Sequence, residues 1–285
     1  MSQKIDTLYA ESYRHTSTCA EGCVNTHFTN KNNPFSDFGA QLFDHALRNI
    51  YSERINVKKT IEPNLFKGTW HTLNDAIDTA FGEVVFGEPN FDFVQELKYN
   101  TAVFSAFKTH AQQNDIAAQL LDDSGNLKSF SQFAKDSEPI IGRYNNDWLN
   151  TEYNTSVIRA RAAAQWKDFE RDVDLYPNLM WMPSTSVEKR PEHVVYYGHI
   201  WPMDDPFWDK NHPGDLWNCK CGLTNTEKDS TGEKIKSDYK PVAGLEGNPG
   251  KTGAIFSDEH PYIADAPKGV RSLADEMADK VVPKQ

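Results

Sequence analysis

The four cysteines of the chain come as two close pairs, Cys19-x3-Cys23 and Cys219-x-Cys221. Thiolates a few residues apart form the usual half of a structural zinc site, and two halves complete a tetrahedron. One structural zinc held by Cys19, Cys23, Cys219 and Cys221 is therefore the first expectation. Such an ion gives folding free energy to segments too rich in loops to build a core of their own. The same residues also read as two unrelated pairs of reduced thiols that pack as small hydrophobes.

A second chemistry rests on His193, His199 and His212, which fall within 20 residues of one another beside Asp204, Asp205 and Asp209. Histidines and carboxylates with one coordination position left open would make a hydrolytic metal centre, here a hydrolase or nuclease built on His193, His199 and Asp204. The compact H-E-x-x-H spacing is absent. Histidines in such loops otherwise bond backbone carbonyls. In "EKRPEH", Pro191 suits the first position of a helical turn, which turns Arg190 and His193 the same way. Arg190 then reaches Asp204 or Asp205, an ion pair that reads as structural. No G-x-S-x-G, G-x-x-x-x-G-K-[ST] or G-x-G-x-x-G occurs, which weighs against serine hydrolases and nucleotide-binding enzymes.

These residues need elements to hold them. Phe38, Leu42, Ala46, Leu47 and Ile50 recur at three and four, predicting a helix from near Ser36. Leu73, Ile77 and Phe81 predict a shorter one over 72–82. Val94, Leu97, Thr101, Phe104 and Ala111 predict a long one, and DDSGN at 122–126 a turn. Another long helix is predicted over 145–171, where the run Ala162–Ala164 favours helix by propensity. After Pro177 the texture changes to short strands and loops dense in aromatics and prolines. The fold class is thus α+β. A mostly helical N-terminal region (1–171) with long helices leads into a small loop-rich α+β module (172–225). An extended C-terminal tail (226–285) follows. Val270, Leu273, Met277 and Val281 predict a short amphipathic helix in that tail, to dock on its own domain or on a partner.

The 285 residues carry a net charge of -11, which argues against a broad nucleic-acid-binding face. Mean hydropathy is -0.67. No apolar run reaches the roughly 18 residues of a membrane span, and the N-terminus shows no signal-peptide stretch. The expectation is a protein made in the cytosol, with its thiols reduced.

One stretch points further. Arg190-x-x-His193, Gly198, a short strand, "DDPFW" and then "WNCKC" resembles the C-terminal module of the phage Mu F-like head morphogenesis proteins, also called minor head or minor capsid proteins. "LYPNLMWMPS" before it and "GNPGKTGAIFSDEHPY" after it extend the resemblance over 155–262. Where the family usually reads YPPNGWxCRC, this chain has "NHPGDLWNCKC", with His212 in place of a tyrosine and Lys220 in place of an arginine. The resemblance implies a virion component that is not an enzyme. It would sit inside the head or at the portal vertex after assembly in the host cytoplasm. Its partners would be the portal protein, other head proteins and the DNA that passes through the portal, with no membrane. It also implies that Trp201, Phe207, Trp208 and Trp217 form a small aromatic core.

Overall fold

The computed structural model describes residues 4–9, 39–232, 235 and 239–283. Cys19, Cys23 and the start of the helix expected from Ser36 lie outside the described residues. Residues 4–9 are helical (α1). There follow α2 (Ala40–Tyr51), α3 (Pro63–Phe81), α4 (Phe91–Ala117), α5 (Phe130–Gly142), a π turn (Arg143–Trp148) and α6 (Leu149–Arg171).

Local chemistry sets these boundaries. Pro63 opens α3 while the Glu62 side chain accepts from the Leu65 N–H, satisfying a donor the helix cannot. The helix stops at Gly82, whose φ of 75° carries no steric penalty without a Cβ. Asp122 accepts from the backbone of Ser124 and Asn126, closing the turn expected at 122–126. Helix α5 was not among the elements expected from the sequence. Ser129 caps it, Pro139 sits inside it, and only Phe133 and Ser137 are buried along it.

Helix α4 is the axis of the fold and is buried on almost every side over 101–113. Leu97, Phe104 and Phe107 meet Leu73, Ile77, Tyr153 and Ala160 from α3 and α6 in one apolar core. That core also takes in Ile5 and Tyr9 at one end of the chain and Leu245, Phe256, Tyr262, Val270 and Ala278 at the other. Residues of the helical region and of the C-terminal stretch thus share this core, whereas the sheet packs with Trp166 and Phe169 of α6 in a second apolar cluster.

The α+β part carries a three-stranded antiparallel sheet in the order β2-β1-β3, with β1 (Asn178–Met182), β2 (Ile200–Pro202) and β3 (Gly222–Thr226). Leu179 pairs with Trp201, and Trp181 with Leu223. Two single-turn helices, α7 (Pro191–Val194) and α8 (Phe207–Lys210), fill the connections. Trp201 stacks on Phe207 with ring centroids 3.9 Å apart, and Trp208 stands on Trp201 at 5.5 Å. Trp217, expected in this group, packs elsewhere: its ring lies 4.9 Å from Tyr9 in the helical core. The turn from Leu216 to Cys219 and the left-handed φ of 55° at Asn218 turn the tryptophan away from the sheet.

Beyond β3, the described residues up to α9 (Pro249–Thr252) hold little regular structure, and α10 (Pro261–Ala264) and α11 (Val270–Val281) follow. The described residues from Leu245 on are held closely against α4 and α6. Buried Arg159 on α6 donates to the carbonyls of Gly214, Leu245, Glu246 and Gly247. Phe256 stacks on Phe104 at 3.8 Å. A Cβ on Gly250 would lie 2.3 Å from the Trp166 Cβ, so the backbone of α9 rests directly on α6. The predicted terminal helix docks on α4 of its own chain. Val270, Ala274 and Ala278 are its most buried residues, with Leu273, Met277 and Val281 at the flanks.

Candidate metal centre

Each group at the site is set by an ordinary local device. Pro191 opens α7, and that single turn delivers His193 to the interior. Cys221 directly precedes β3, whose first residue, Gly222, pairs with Met182 of β1. The Thr185 N–H donates to the Lys220 carbonyl at 3.1 Å. The Asn218 N–H donates to Thr155 Oγ1 of α6 at 3.2 Å. Arg190 donates to the Trp217 carbonyl at 2.6 Å and so fixes the cysteine turn against α7. It takes this carbonyl rather than the expected Asp204 or Asp205.

At the centre, Cys219 Sγ and Cys221 Sγ each lie 3.5 Å from the same atom, His193 Nδ1. The other ring nitrogen, Nε2, is 2.9 Å from Asp215 Oδ1, and both side chains are 1% exposed. Trp181 and Tyr239 stand edge-on to the imidazole at 5.2 and 5.5 Å. The Tyr197 hydroxyl lies 3.7 Å from Cys221 Sγ. A groove lined by Ile158, Gln165, Phe169 and Leu223 also reaches Cys219 and Cys221.

The charges at this site are strongly coupled. Burial opposes a proton on His193, but the Asp215 carboxylate, joined by Cys221, outweighs it and raises the pKa to about 9. The Cys221 thiol is lowered to about 4, first by the hydrogen bond from Cys219, against burial, and then by His193. Cys219 is pushed well above its ordinary value by Cys221 beside it and by burial. The result is a poised thiolate, a second thiol and an imidazole braced by a carboxylate. That set can bind a soft metal ion or act as a nucleophile.

Among the described residues, this is the one place where three metal-ligating side chains converge. The trio His193, His199 and Asp204 does not: the His199 ring lies 5.8 Å from that of Trp201, and Asp204 is exposed. Asp205 caps its own turn by accepting from the Phe207 N–H, and Asp209 pairs with Lys251. His212 is buried against Trp166, its Nδ1 2.7 Å from the Pro213 carbonyl. Burial, with the positive charge of Arg159, lowers its pKa to about 3. Asp215 was not singled out from the sequence. The available signal was a carboxylate between a turn-borne histidine and a C-x-C pair.

The sequence model of the family described as phage Mu protein F like protein matches residues 112–224. The chain is 32% identical over 73 residues to the putative capsid assembly protein F of Escherichia phage Mu, covering 26% of this chain and 17% of that protein. It is 30% identical over 92 residues to the Mu-like prophage FluMu F protein of Haemophilus influenzae, covering 31% of this chain and 22% of that one. The matches thus span about a fifth of the length of these relatives. No solved structure matches the chain significantly. The family segment begins in the last turns of α4 and ends within β3, so it contains α5, α6, the sheet and all of His193, Asp215, Cys219 and Cys221. Residues 112–224 of the chain are thus similar to the family described as phage Mu protein F like protein.

Proposed function

We propose that this chain is a head assembly protein of a tailed phage or prophage and that it acts by binding rather than by turnover. One observation carries the reading: residues 112–224 match the family model, and two similar proteins are named as a putative capsid assembly protein F of phage Mu and as a Mu-like prophage F protein. Its partners on this reading are the portal protein and other head proteins, with the packaged DNA close by. It is carried within the head or at the portal vertex, after assembly in the host cytoplasm. The net charge of -11 favours protein contacts over a broad DNA-binding face. No helix of the described residues is long and apolar enough to cross a membrane.

The hydrolase reading on His193, His199 and Asp204 has no geometric support, because these side chains do not converge. Mass spectrometry of purified particles tests the proposal. The protein is expected in particles at far fewer copies than the coat protein, and particles made without it are expected to be misassembled or poor in DNA. Its absence from particles, with hydrolytic activity in the pure protein, would overturn it.

A further inference from the structure

We propose that His193, Cys219 and Cys221 form a zinc-binding centre, with His193 oriented by Asp215. The argument begins with Nδ1. A single ring nitrogen offers one hydrogen or one lone pair, so it cannot make two good hydrogen bonds at once. Yet both sulfurs sit 3.5 Å from it. Three donors arranged around a shared ion account for this directly. A tetrahedral zinc with bonds of about 2.3 Å to sulfur and about 2.0–2.1 Å to nitrogen sets each sulfur–nitrogen edge at about 3.5 Å. All three donor atoms lie within 4.8 Å of one another, as the edges of one such tetrahedron require.

The surroundings agree. A metal-bound histidine almost always gives its second N–H to a carboxylate or carbonyl, which fixes the ring and its tautomer. His193 turns Nε2 to Asp215 at 2.9 Å. Two sulfurs and an imidazole select zinc over magnesium, calcium or manganese, which prefer oxygen. Cys219 and Cys221 are both free thiols, so no disulfide competes for them. A papain-like cysteine nucleophile fits less well. It needs one thiol paired with one ring nitrogen, whereas here two thiols share that nitrogen. The ion would link α7 to the approach of β3 across 26 and 28 residues of chain, where only single turns and short strands hold the path. This inference stands independently of the assembly role.

The test uses the full chain. Protein purified without added metal is expected to contain about one zinc per molecule under the single-site geometry. After chelation under reducing conditions, cobalt(II) is expected to give the charge-transfer absorption of two thiolates, halved in Cys221→Ser and in Cys219→Ser. Asp215→Ala is expected to weaken zinc about ten- to a hundredfold without removing a ligand. Should the serine variants fail to fold, alkylation of the stripped wild type serves instead, with zinc slowing modification of Cys221. Absence of stoichiometric zinc, a four-thiolate spectrum, or zinc that leaves Cys221 equally reactive would overturn the proposal.

Discussion

Lys108 of α4 and Glu152 of α6 form an ion pair from which water is wholly excluded, each side chain being 0% exposed. Burial alone pulls the Lys108 pKa down, and Glu152 opposes it. Glu152 also accepts from the Tyr9 hydroxyl at 2.6 Å, so the pair joins three segments of the core. Removing one partner strands a buried charge. Lys108→Met is expected to cost about 3–5 kcal/mol, and Lys108→Met with Glu152→Gln is expected to recover much of it. Urea unfolding of both variants decides. Equal stability of the single variant and the wild type would show that the pair carries no such penalty.

Stability is expected to fall with pH below neutrality. His260 and His212 are fully buried, and burial, with Lys108 near the first and Arg159 near the second, lowers both pKa values to about 3. An unfolded histidine titrates near pH 6.5, at about 1.4 kcal/mol per unit of difference. Between pH 6.5 and 3 the unfolded chain takes up protons that the folded one refuses. Each histidine therefore removes about 1.4 kcal/mol per pH unit across that window and nothing above it. Tyr9 and Tyr262 contact His260, Lys108 lies near it and Glu152 stands behind Tyr9; the His260 Nδ1 accepts from the Tyr262 N–H at 3.2 Å. Asparagine can keep that cap without titrating. The Tm of His260→Asn should accordingly fall less steeply from pH 6.5 to 4.5, and a slope as steep as wild type would exclude His260 as a source.

Arg159 is expected to control whether the stretch after β3 stays closed. Its guanidinium is bonded to four carbonyls. Arg159→Met would leave the Gly214 and Leu245 oxygens buried and unbonded, at a cost of about 1–3 kcal/mol each. Limited proteolysis of this variant should cut first within 226–248. A wild-type cleavage pattern with unchanged stability would place the hold elsewhere.

Ending the chain after Lys268 removes α11 and its buried Val270, Ala274 and Ala278. The apolar face of α4 would then meet water. A large fall in Tm is expected, with new dye binding typical of exposed apolar surface. An unchanged Tm would restore the alternative left open by the sequence, a helix free to dock on a partner.

Replacing Cys19 and Cys23 together by serine is expected to leave zinc bound, because the described donors already converge with a braced histidine. Loss of zinc from that variant would bring back the four-thiolate set expected from the cysteine spacing.

The legible parts of the fold were those with a periodic apolar face or a strong punctuator. Leu73 and Ile77 announced α3, Val94 to Phe104 announced α4, and Val270 to Val281 announced α11. Helix α5 escapes notice, although Ser129 caps it and Phe130, Phe133, Ala134 and Ile141 lie on its packed face, because Pro139 inside it reads as a breaker. The middle of α4 hid its burial behind polar residues: Thr101 and Ser105 bond back to carbonyls of their own helix, while Lys108 and Gln112 are met by the distant Glu152 and Asn145. At the site, His193 and the C-x-C pair were both visible, but their union depends on the α7 turn meeting the start of β3. That meeting is tertiary and leaves no mark on local spacing.

The stack of Phe104 on Phe256 also sets an order in time. Residues made early on α4 wait for partners more than 150 residues downstream, so synthesis outruns the core it must fill. Until Phe256 and α11 emerge, the nascent bundle shows water and its neighbours an apolar flank that includes Phe104 and Phe107. Such a chain commits late, and the interval before closure is when chaperones, or other nascent copies, can reach it.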